Sequence, residues 1–166
     1  MSTTDLSGGV SPDTFRAVLG RFASGITVVT LSDPMGRPHG MTVSAFSSVS
    51  MTPPLILVCI DRIATMLPLF EPAGTFGVNL LSGEQADLSR RFADEAMELR
   101  FDGVAWEPGP GGAPWLDAAH ANLACRVTQR VTAGDHEIIV GLVIGARHAD
   151  ASDPLVYHRG TYARLR

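Results

Sequence analysis

The sequence has few charged residues and no run of basic side chains. Lysine and arginine together number 13 against 17 aspartates and glutamates, which leaves a net charge of -4 over 166 residues. Proteins that bind nucleic acid need a row of cations to neutralise phosphates, so the composition argues against a nucleic-acid partner. With 45% apolar and 18% charged residues, the chain lies far from disordered compositions. Its length predicts one globular domain.

Cysteine is scarce, and long apolar runs are absent. Cys59 and Cys125 lie far apart and show no metal-ligand spacing. They therefore predict two buried thiols, no metal site and a reducing, cytoplasmic compartment. The longest aliphatic run, Leu55 to Ile60, is much shorter than the roughly 20 residues that cross a bilayer, so we expect no membrane association. Residues 1–10 form an expected flexible leader without the features of a secretory signal, and residues 11–166 form the expected domain.

Several motifs of nucleotide-binding and hydrolytic sites are also missing. The chain has no G-x-x-x-x-G-K-S/T, and no G-x-G-x-x-G that follows a strand and begins a helix. H-E-x-x-H and G-x-S-x-G are absent as well. A nucleotide that binds here therefore does not use a P-loop or a Rossmann scaffold, and metal-dependent or hydrolytic chemistry is disfavoured.

What the sequence does contain is a series of short, β-branched segments separated by turn residues. We predict strands over Ile26 to Leu31, Leu55 to Ile60 (buried on both faces), Phe76 to Leu81, 123–131, Ile138 to Ile144 and Leu155 to Tyr157. We predict helices over 12–24, Ala64 to Phe70 and after the capping-box pair Ser82 and Gln85. Residues 94–117 are irregular and could form a lid or a dimer contact. The pattern indicates a mainly antiparallel β-barrel or sandwich with a few short helices.

A ladder of hydroxyl groups is the first candidate site. From Met41 to Met51 the odd positions are mostly apolar, whereas the even positions include Thr42, Ser44 and Ser48. Such a face could bind a flat, polar-edged ligand or a phosphate, and it could equally be a solvated strand face.

Two further motifs allow a functional and a structural interpretation. Arg90, Arg91 and Phe92 could present a guanidinium to a phosphate, or they could belong to an exposed helix. Gly134-Asp135-His136 could be a hairpin turn, or it could place His136 against a nicotinamide or an anion. The other histidines, at positions 39, 120, 148 and 158, form no cluster and are interpreted as surface or structural residues.

Taken together, these motifs resemble a known family. The segments FRAVLGRFASGITVVT (15–30), GMTVSAFSSVSMTPP (40–54), LILVCID (55–61), FGVNL (76–80), RFA (91–93) and GDH (134–136) occur in this order. The chain resembles the short-chain flavin reductases that serve two-component flavin-dependent monooxygenases. The resemblance covers roughly residues 12–165.

The resemblance implies a homodimeric split β-barrel of the FMN-binding type, with Greek-key-like antiparallel strands and flavin bound near the dimer interface. It implies a catalytic role for His136 and cofactor contacts from Thr42, Val43, Ser44, Ala45, Ser47, Ser48, Cys59, Ile60, Asp61, Thr65, Arg91, Phe92, Gly134, Asp135, His136 and Tyr162, with Tyr157 as an alternative in the tail.

The activity that the resemblance implies is hydride transfer from NADH or NADPH to FMN or FAD, after which a separate monooxygenase receives the reduced flavin. Neither the flavin nor the nicotinamide preference can be read from the residues. Two alternatives stay open: a split-barrel oxidase related to the pyridoxamine-phosphate oxidases, and a flavin-binding module without catalysis.

Overall fold

The structure is a computed structural model that describes residues 8–150 and 153–165. Most of the expected leader therefore lies outside the described residues. The helices are α1 (Pro12–Leu19), α2 (Phe70–Ala73) and α3 (Ala86–Asp94). The strands are β1 (Ser24–Gly25), β2 (Thr27–Ser32), β3 (Pro38–Val43), β4 (Phe46–Met51), β5 (Pro54–Asp61), β6 (Thr75–Leu80), β7 (Trp106–Pro108), β8 (Pro114–Leu116), β9 (Ala121–Ala133), β10 (His136–His148), β11 (Val156–His158) and β12 (Thr161–Ala163).

Seven antiparallel strands form the main sheet, in the order β3-β2-β6-β9-β10-β5-β4. One face covers a core that includes Val29, Val58, Phe70, Phe76 and Ile139. A second apolar cluster lies on the side of α3 and includes Val28 and Phe92. The mainly antiparallel β fold expected from the sequence is confirmed.

The connection between β3 and β4 corrects the interpretation of residues 41–51 as one strand. β3 pairs with β2, whereas β4 pairs with β5, so the two strands lie at opposite edges of the sheet. Only Ser44 and Ala45 connect them. Because two residues span so short a distance, the sheet must curl until its edges approach each other. The barrel is split at this point, and the hydroxyl groups do not form one continuous ladder.

β5 is buried on one face only, which corrects the second strand prediction. Ile56, Val58 and Ile60 are buried, and the residues between them are half-buried. On β10, the residues that pair with these half-buried positions are also apolar and half-buried: Ile138 lies beside Cys59, and Val140 lies beside Leu57. The outer face of this part of the sheet is therefore apolar and only partly covered within one chain.

The first helix is confirmed but is shorter than expected. The hydroxyl of Ser11 accepts a hydrogen bond from the Thr14 N–H, and Pro12 occupies the first turn. The helix ends at Leu19 because Gly20 caps it. None of its residues is buried.

The later helices begin after the predicted positions. The Ala64 to Phe70 prediction corresponds to a 3-10 turn at Leu67–Leu69 followed by α2. The predicted capping box is half formed: the Gln85 side chain accepts from the Ser82 N–H, but the Ser82 hydroxyl caps no helical N–H. α3 therefore begins at Ala86.

The irregular segment 94–117 is fixed to the barrel. β7 and β8 form a hairpin whose backbone oxygens at Gly111 and Pro114 accept hydrogen bonds from Thr75 and Thr30. Because these bonds fasten the hairpin to the main sheet, they argue against a lid, one of the two interpretations of this segment from the sequence.

The tail adds a small sheet of the order β1-β11-β12, so the chain continues with one more strand than expected. In the part of the chain that the structure describes, no helix is long and apolar enough to cross a membrane.

Candidate functional site

The Ser44–Ala45 bend offers free backbone donors. The carbonyls of Ser44 and Ala45 accept hydrogen bonds from Phe46 and Cys59 respectively. Within the described residues, no acceptor pairs with the N–H of Ser44 or of Ala45. Both residues are exposed, so these two N–H groups can donate to a bound ligand.

β4 continues from this bend with exposed hydroxyl groups. The side chains of Ser47 and Ser48 are exposed, and the Ser47 hydroxyl donates to the Ser48 carbonyl over 3.0 Å. β4 pairs with β5, whose end carries Cys59, Ile60 and Asp61. The bend, the serines of β4 and the end of β5 therefore lie together, as the resemblance implies.

Not every residue of this group can present its side chain. Val43 and Ile60 are buried in the core, so only their backbone can reach a ligand. The Asp61 carboxylate accepts from the Ile63 N–H and fixes the turn after β5. The exposed Thr65 hydroxyl contacts the Met97 sulfur at 3.6 Å. Burial raises the pKa of the Cys59 thiol, which keeps it neutral.

α3 lies against β3 and carries the predicted phosphate residues. The Thr42 hydroxyl donates to the Ser89 carbonyl over 2.6 Å, and this bond ties β3 to the helix. Arg91 donates to the Asp102 carbonyl over 2.6 Å, and its Nε lies 3.7 Å from a Glu95 oxygen. Since a guanidinium has five N–H groups, Arg91 keeps donors for a ligand.

Phe92 cannot present its side chain to a ligand. Its side chain is completely buried, and its ring packs edge-on against Phe101 with centroids 5.0 Å apart. The same ring fills the space over Gly40, where a Cβ would lie 2.6 Å from it. Phe92 therefore holds α3 on the sheet and has no free ring face for a cofactor.

Tyr162 also has an internal partner. Its hydroxyl donates to the Ser89 hydroxyl over 2.9 Å, and the Arg90 guanidinium lies 5.0 Å from the centre of its ring. Tyr157 packs against Tyr162 with ring centroids 5.6 Å apart. The contacts of Tyr162 fasten the tail to α3.

His136 stands at the other end of the site, where β9 and β10 form a two-residue hairpin. Gly134 has a φ of +62°, which suits the first position of a tight type II′ turn. His136 pairs in register with Asp61, and the Arg62 N–H donates to the Asp135 carbonyl. The hairpin therefore joins the end of β5.

The His136 ring is oriented by its neighbour. Its Nδ1 lies 2.7 Å from a carboxylate oxygen of Asp135. This hydrogen bond lowers the pKa of Asp135, so the carboxylate is ionised at neutral pH. Because an ionised carboxylate only accepts, Nδ1 must carry the proton and Nε2 is left for a ligand. The side chain of His136 is 42% exposed.

Two adjoining cavities open at the bend. One has a volume of about 210 Å³ and includes Ser24, Thr27 and Leu155 in its wall. The other has about 350 Å³ and includes Leu19, Phe22 and Tyr157. Both are lined by Ser24, Ser44 and Phe46.

Ser24, Phe22 and Phe46 line these cavities although no sequence motif predicts them as site residues. The β-branched pattern of β2 obscured the fact that β1 is a separate short strand that pairs with β11. No local signal places those three residues beside Ser44, because the contact depends on the fold of the whole chain.

Comparison with known proteins gives a consistent result. The model of the flavin reductase like domain matches residues 19–166. A flavin reductase (NADH) of Kitasatospora aureofaciens is 45% identical over 96% of this chain and 85% of its own.

Two solved structures are similar over nearly their full length. The NADH:FAD oxidoreductase of Streptomyces globisporus, in complex with NAD and FAD fragments, has a TM-score of 0.87 at 35% identity and covers 96% of this chain and 98% of its own. The nitrilotriacetate monooxygenase component B of Mycobacterium thermoresistibile has a TM-score of 0.87 at 33% identity over 93% and 86%. The chain belongs to the flavin reductase-like family.

Proposed function

We propose that this protein oxidises NADH and reduces FMN or FAD. The observation that carries the proposal is the pair of free N–H donors at the Ser44–Ala45 bend, beside the end of β5 and the hairpin of His136. A flat ring with polar edges needs donors of this kind at one edge and an open face for a second ring. The chemistry belongs to the bound groups, as a hydride leaves C4 of the nicotinamide for N5 of the flavin.

The bend fits a flavin because its donors are neutral and fixed. Ala45 is held by the hydrogen bond of its carbonyl to the Cys59 N–H, so the neighbouring N–H groups keep their direction. Fixed N–H dipoles stabilise the negative charge of a reduced ring without a proton transfer. In this proposal the exposed hydroxyls of Ser47 and Ser48 contact the ring or the ribityl chain, and Thr42 and Val43 contribute through their strand.

In this proposal, Thr65 and Arg91 bind the phosphate end of the flavin. Arg91 is half-buried and oriented by the Asp102 carbonyl, so little side-chain freedom is lost when it binds a phosphate oxygen. Phe92 supports Arg91 from the core rather than contacting the cofactor.

His136 positions the nicotinamide. With its Nδ1 proton held by Asp135, the Nε2 atom of the half-exposed ring is left for the carboxamide or a phosphate of the dinucleotide. Orientation of this kind brings the donor carbon near the acceptor atom and contributes to the rate without acid–base catalysis.

We also propose that two copies form a dimer. Phe15, Val18 and Leu19 follow one face of α1 and are between 50% and 62% exposed. The outer face of β5 and β10 is apolar and half-covered as well. The larger cavity at the bend is lined by Leu19 at the end of α1 and by Phe46 at the start of β4, the strand that pairs with β5. A second copy of this chain would cover both and would enclose the site.

The reduced flavin leaves for a separate oxygenase in this proposal. The name of the Mycobacterium relative, a component of a monooxygenase, supports this arrangement. A cytoplasmic location completes the proposal, and the two unpaired thiols support it because they persist in a reducing compartment.

The test is the oxidation of NADH by the purified protein, followed by absorbance, with FMN, with FAD and without added flavin. Saturable turnover that requires added flavin would support a reductase that treats flavin as a diffusible substrate. Absence of turnover with both NADH and NADPH, despite flavin binding measured by fluorescence, would contradict it. That second result would favour an oxidase with an organic substrate or a flavin-binding module.

A further inference from the structure

A third cavity, also of about 350 Å³, lies next to the site and is lined by arginines. Its wall contains Arg16, Arg21 and Arg159, together with Gly20 and Gly160. Three guanidinium groups around one cavity stand out in a chain of net charge -4. Arg16 has a partner, because its guanidinium lies 3.3 Å from a carboxylate oxygen of Asp13. In the described ranges, Arg21 and Arg159 form no ion pair.

This cavity adjoins the cavity at the bend. Gly20 and Arg159 line both of them. The cavity at the bend contributes Phe22 and Tyr157, whose rings are 76% and 36% exposed, and it reaches Ser44 and Ala45. A concave path therefore runs from the proposed flavin ring, past two aromatic side chains, to Arg21 and Arg159.

The backbone at Arg159 supports a function for this residue. Arg159 and Gly160 form the two-residue turn between β11 and β12, and their φ angles are +52° and +78°. Positive φ at both positions is the type I′ pattern, which favours Asn-Gly. A long, charged residue in the left-handed region costs conformational energy, and such residues concentrate at functional positions.

The turn is also held in place. The Arg159 N–H donates to the Gly20 carbonyl over 2.9 Å, so the turn is fastened to the end of α1. The arginine side chain therefore starts from a fixed point beside Arg21. Two guanidinium groups that extend from neighbouring positions can bind the same phosphate with good geometry.

We propose that Arg21 and Arg159 bind the adenosine monophosphate part of a dinucleotide, whose adenine lies against Phe22 and Tyr157. FAD and NADH carry this same group, and FMN lacks it. The inference rests on the proposed reductase function, because it concerns how that site selects its substrates.

The test uses Arg159→Asn, which removes the guanidinium but keeps a residue suited to the left-handed turn. Arg164→Ala is the matched control, because Arg164 lies after the same hairpin, is exposed and pairs with Glu84. Turnover is measured with FAD and with FMN at saturating NADH, and with NADH and reduced nicotinamide mononucleotide at saturating FMN. ADP binding is measured by calorimetry.

If the flavin is the source of the group, Arg159→Asn raises the KM for FAD roughly tenfold and leaves that for FMN unchanged, since one charged hydrogen bond is lost. If NADH is the source, Arg159→Asn raises the KM for NADH and leaves the KM for reduced nicotinamide mononucleotide unchanged. In both cases we expect Arg159→Asn to weaken ADP binding and the control, Arg164→Ala, to bind ADP as tightly as the unsubstituted protein. Unchanged ADP binding, or an equal loss with FMN and FAD, would overturn the proposal.

Two further measurements separate this inference from its premises. A protein that turns over no flavin at all but still loses ADP binding on Arg159→Asn contradicts the reductase function and supports the subsite. The melting temperature of Arg159→Asn should equal or exceed that of the unsubstituted protein, and its mass by light scattering should be unchanged. A lower mass would mean that the arginine serves subunit contact, which would also overturn the proposal.

Discussion

The hydroxyl of Tyr162 donates to the hydroxyl of Ser89, whose carbonyl in turn accepts from Thr42. One residue of α3 thus fastens both the tail and β3. The resemblance assigns Tyr162 to the cofactor, whereas the structure gives its hydroxyl a structural partner.

Tyr162→Phe should therefore act on stability rather than on flavin affinity. Loss of this half-buried hydrogen bond should lower the free energy of unfolding by about 1 kcal/mol. Tyr157→Phe is the control, because the Tyr157 ring, which packs edge-on against Tyr162, is kept and the change in stability should stay within roughly 0.5 kcal/mol. Urea unfolding measures the first effect and flavin fluorescence the second. If Tyr162→Phe instead weakened flavin affinity tenfold at unchanged stability, Tyr162 would be a cofactor-binding residue.

His136→Ala should separate nicotinamide binding from flavin binding. We expect kcat/KM for NADH to fall about tenfold, as for the loss of one positioning hydrogen bond, while the dissociation constant for FMN changes little. His148→Ala is a suitable control, since that ring is exposed and contacts only Asp150 among described acidic residues. Unchanged NADH kinetics would show that the hairpin is a structural turn and that His136 does not position the nicotinamide.

Gly77→Ala should destabilise the barrel. An added Cβ would lie 2.7 Å from the backbone carbonyl oxygen of Pro114 and would also clash with the Thr30 hydroxyl, so the β7–β8 hairpin would have to move. We expect a loss of about 1–3 kcal/mol in urea unfolding. At Gly25 a Cβ meets no atom within 4 Å, and Gly25→Ala should leave the unfolding midpoint unchanged or slightly higher. Equal effects of the two substitutions would contradict the packing at β8.

Asp33 should make the free energy of unfolding depend on pH in the acid range. Its carboxylate accepts from the Arg37 and Met35 N–H groups, from Arg37 Nε over 2.8 Å and from His39 Nε2 over 3.2 Å. The backbone bond from Arg37 contributes most, and together the bonds hold the pKa of Asp33 well below its usual range. The unfolded chain titrates near the usual value of about 3.9, so this stabilisation is complete above that pH and is lost as the pH falls below it.

Asp33→Asn should accordingly lower the urea midpoint at pH 7, and the deficit should shrink at pH 3. Asp13→Asn supplies the comparison, because its carboxylate is exposed and, among the described residues, forms an ion pair only with Arg16. A deficit for Asp33→Asn that is equal at both pH values would show that the carboxylate's charge does not stabilise the turn.

Val18→Asp should dissociate the proposed dimer. The Val18 side chain is 62% exposed in one chain, and a buried carboxylate at an apolar interface is costly. Light scattering should change from the mass of two 17.6 kDa chains to that of one. Asp13→Lys, on the opposite side of α1, should leave the mass of two. A single-chain mass for the unsubstituted protein would contradict the dimer.

The sequence predicted the strands well where β-branched residues alternate or run together between turn residues, as in β2, β5 and β6. It could not show that residues 41–51 are two strands, because the bend at Ser44–Ala45 interrupts neither the hydroxyl pattern nor the apolar pattern. Burial was overestimated for Leu55 and Leu57, since an apolar run looks the same whether the protein or a second copy covers its outer face.

The site was predictable only as far as its motifs are local. The hairpin of Gly134 to His136 and the position of Arg91 on a helix follow from short patterns, and the structure has both. The burial of Phe92 against Gly40 and the convergence of Arg21 with Arg159 depend on contacts between distant segments, which no single-sequence pattern carries.

The bulge in β4 has a consequence for solubility. Val49 lies between Ser48 and Ser50 where the register with β5 shifts, and β4 is an edge of the main sheet. A bulged edge with serine side chains is a poor template for a strand from another molecule, because its N–H and C=O groups do not form a regular row. The serines of β4 thus also protect the barrel from edge-to-edge aggregation.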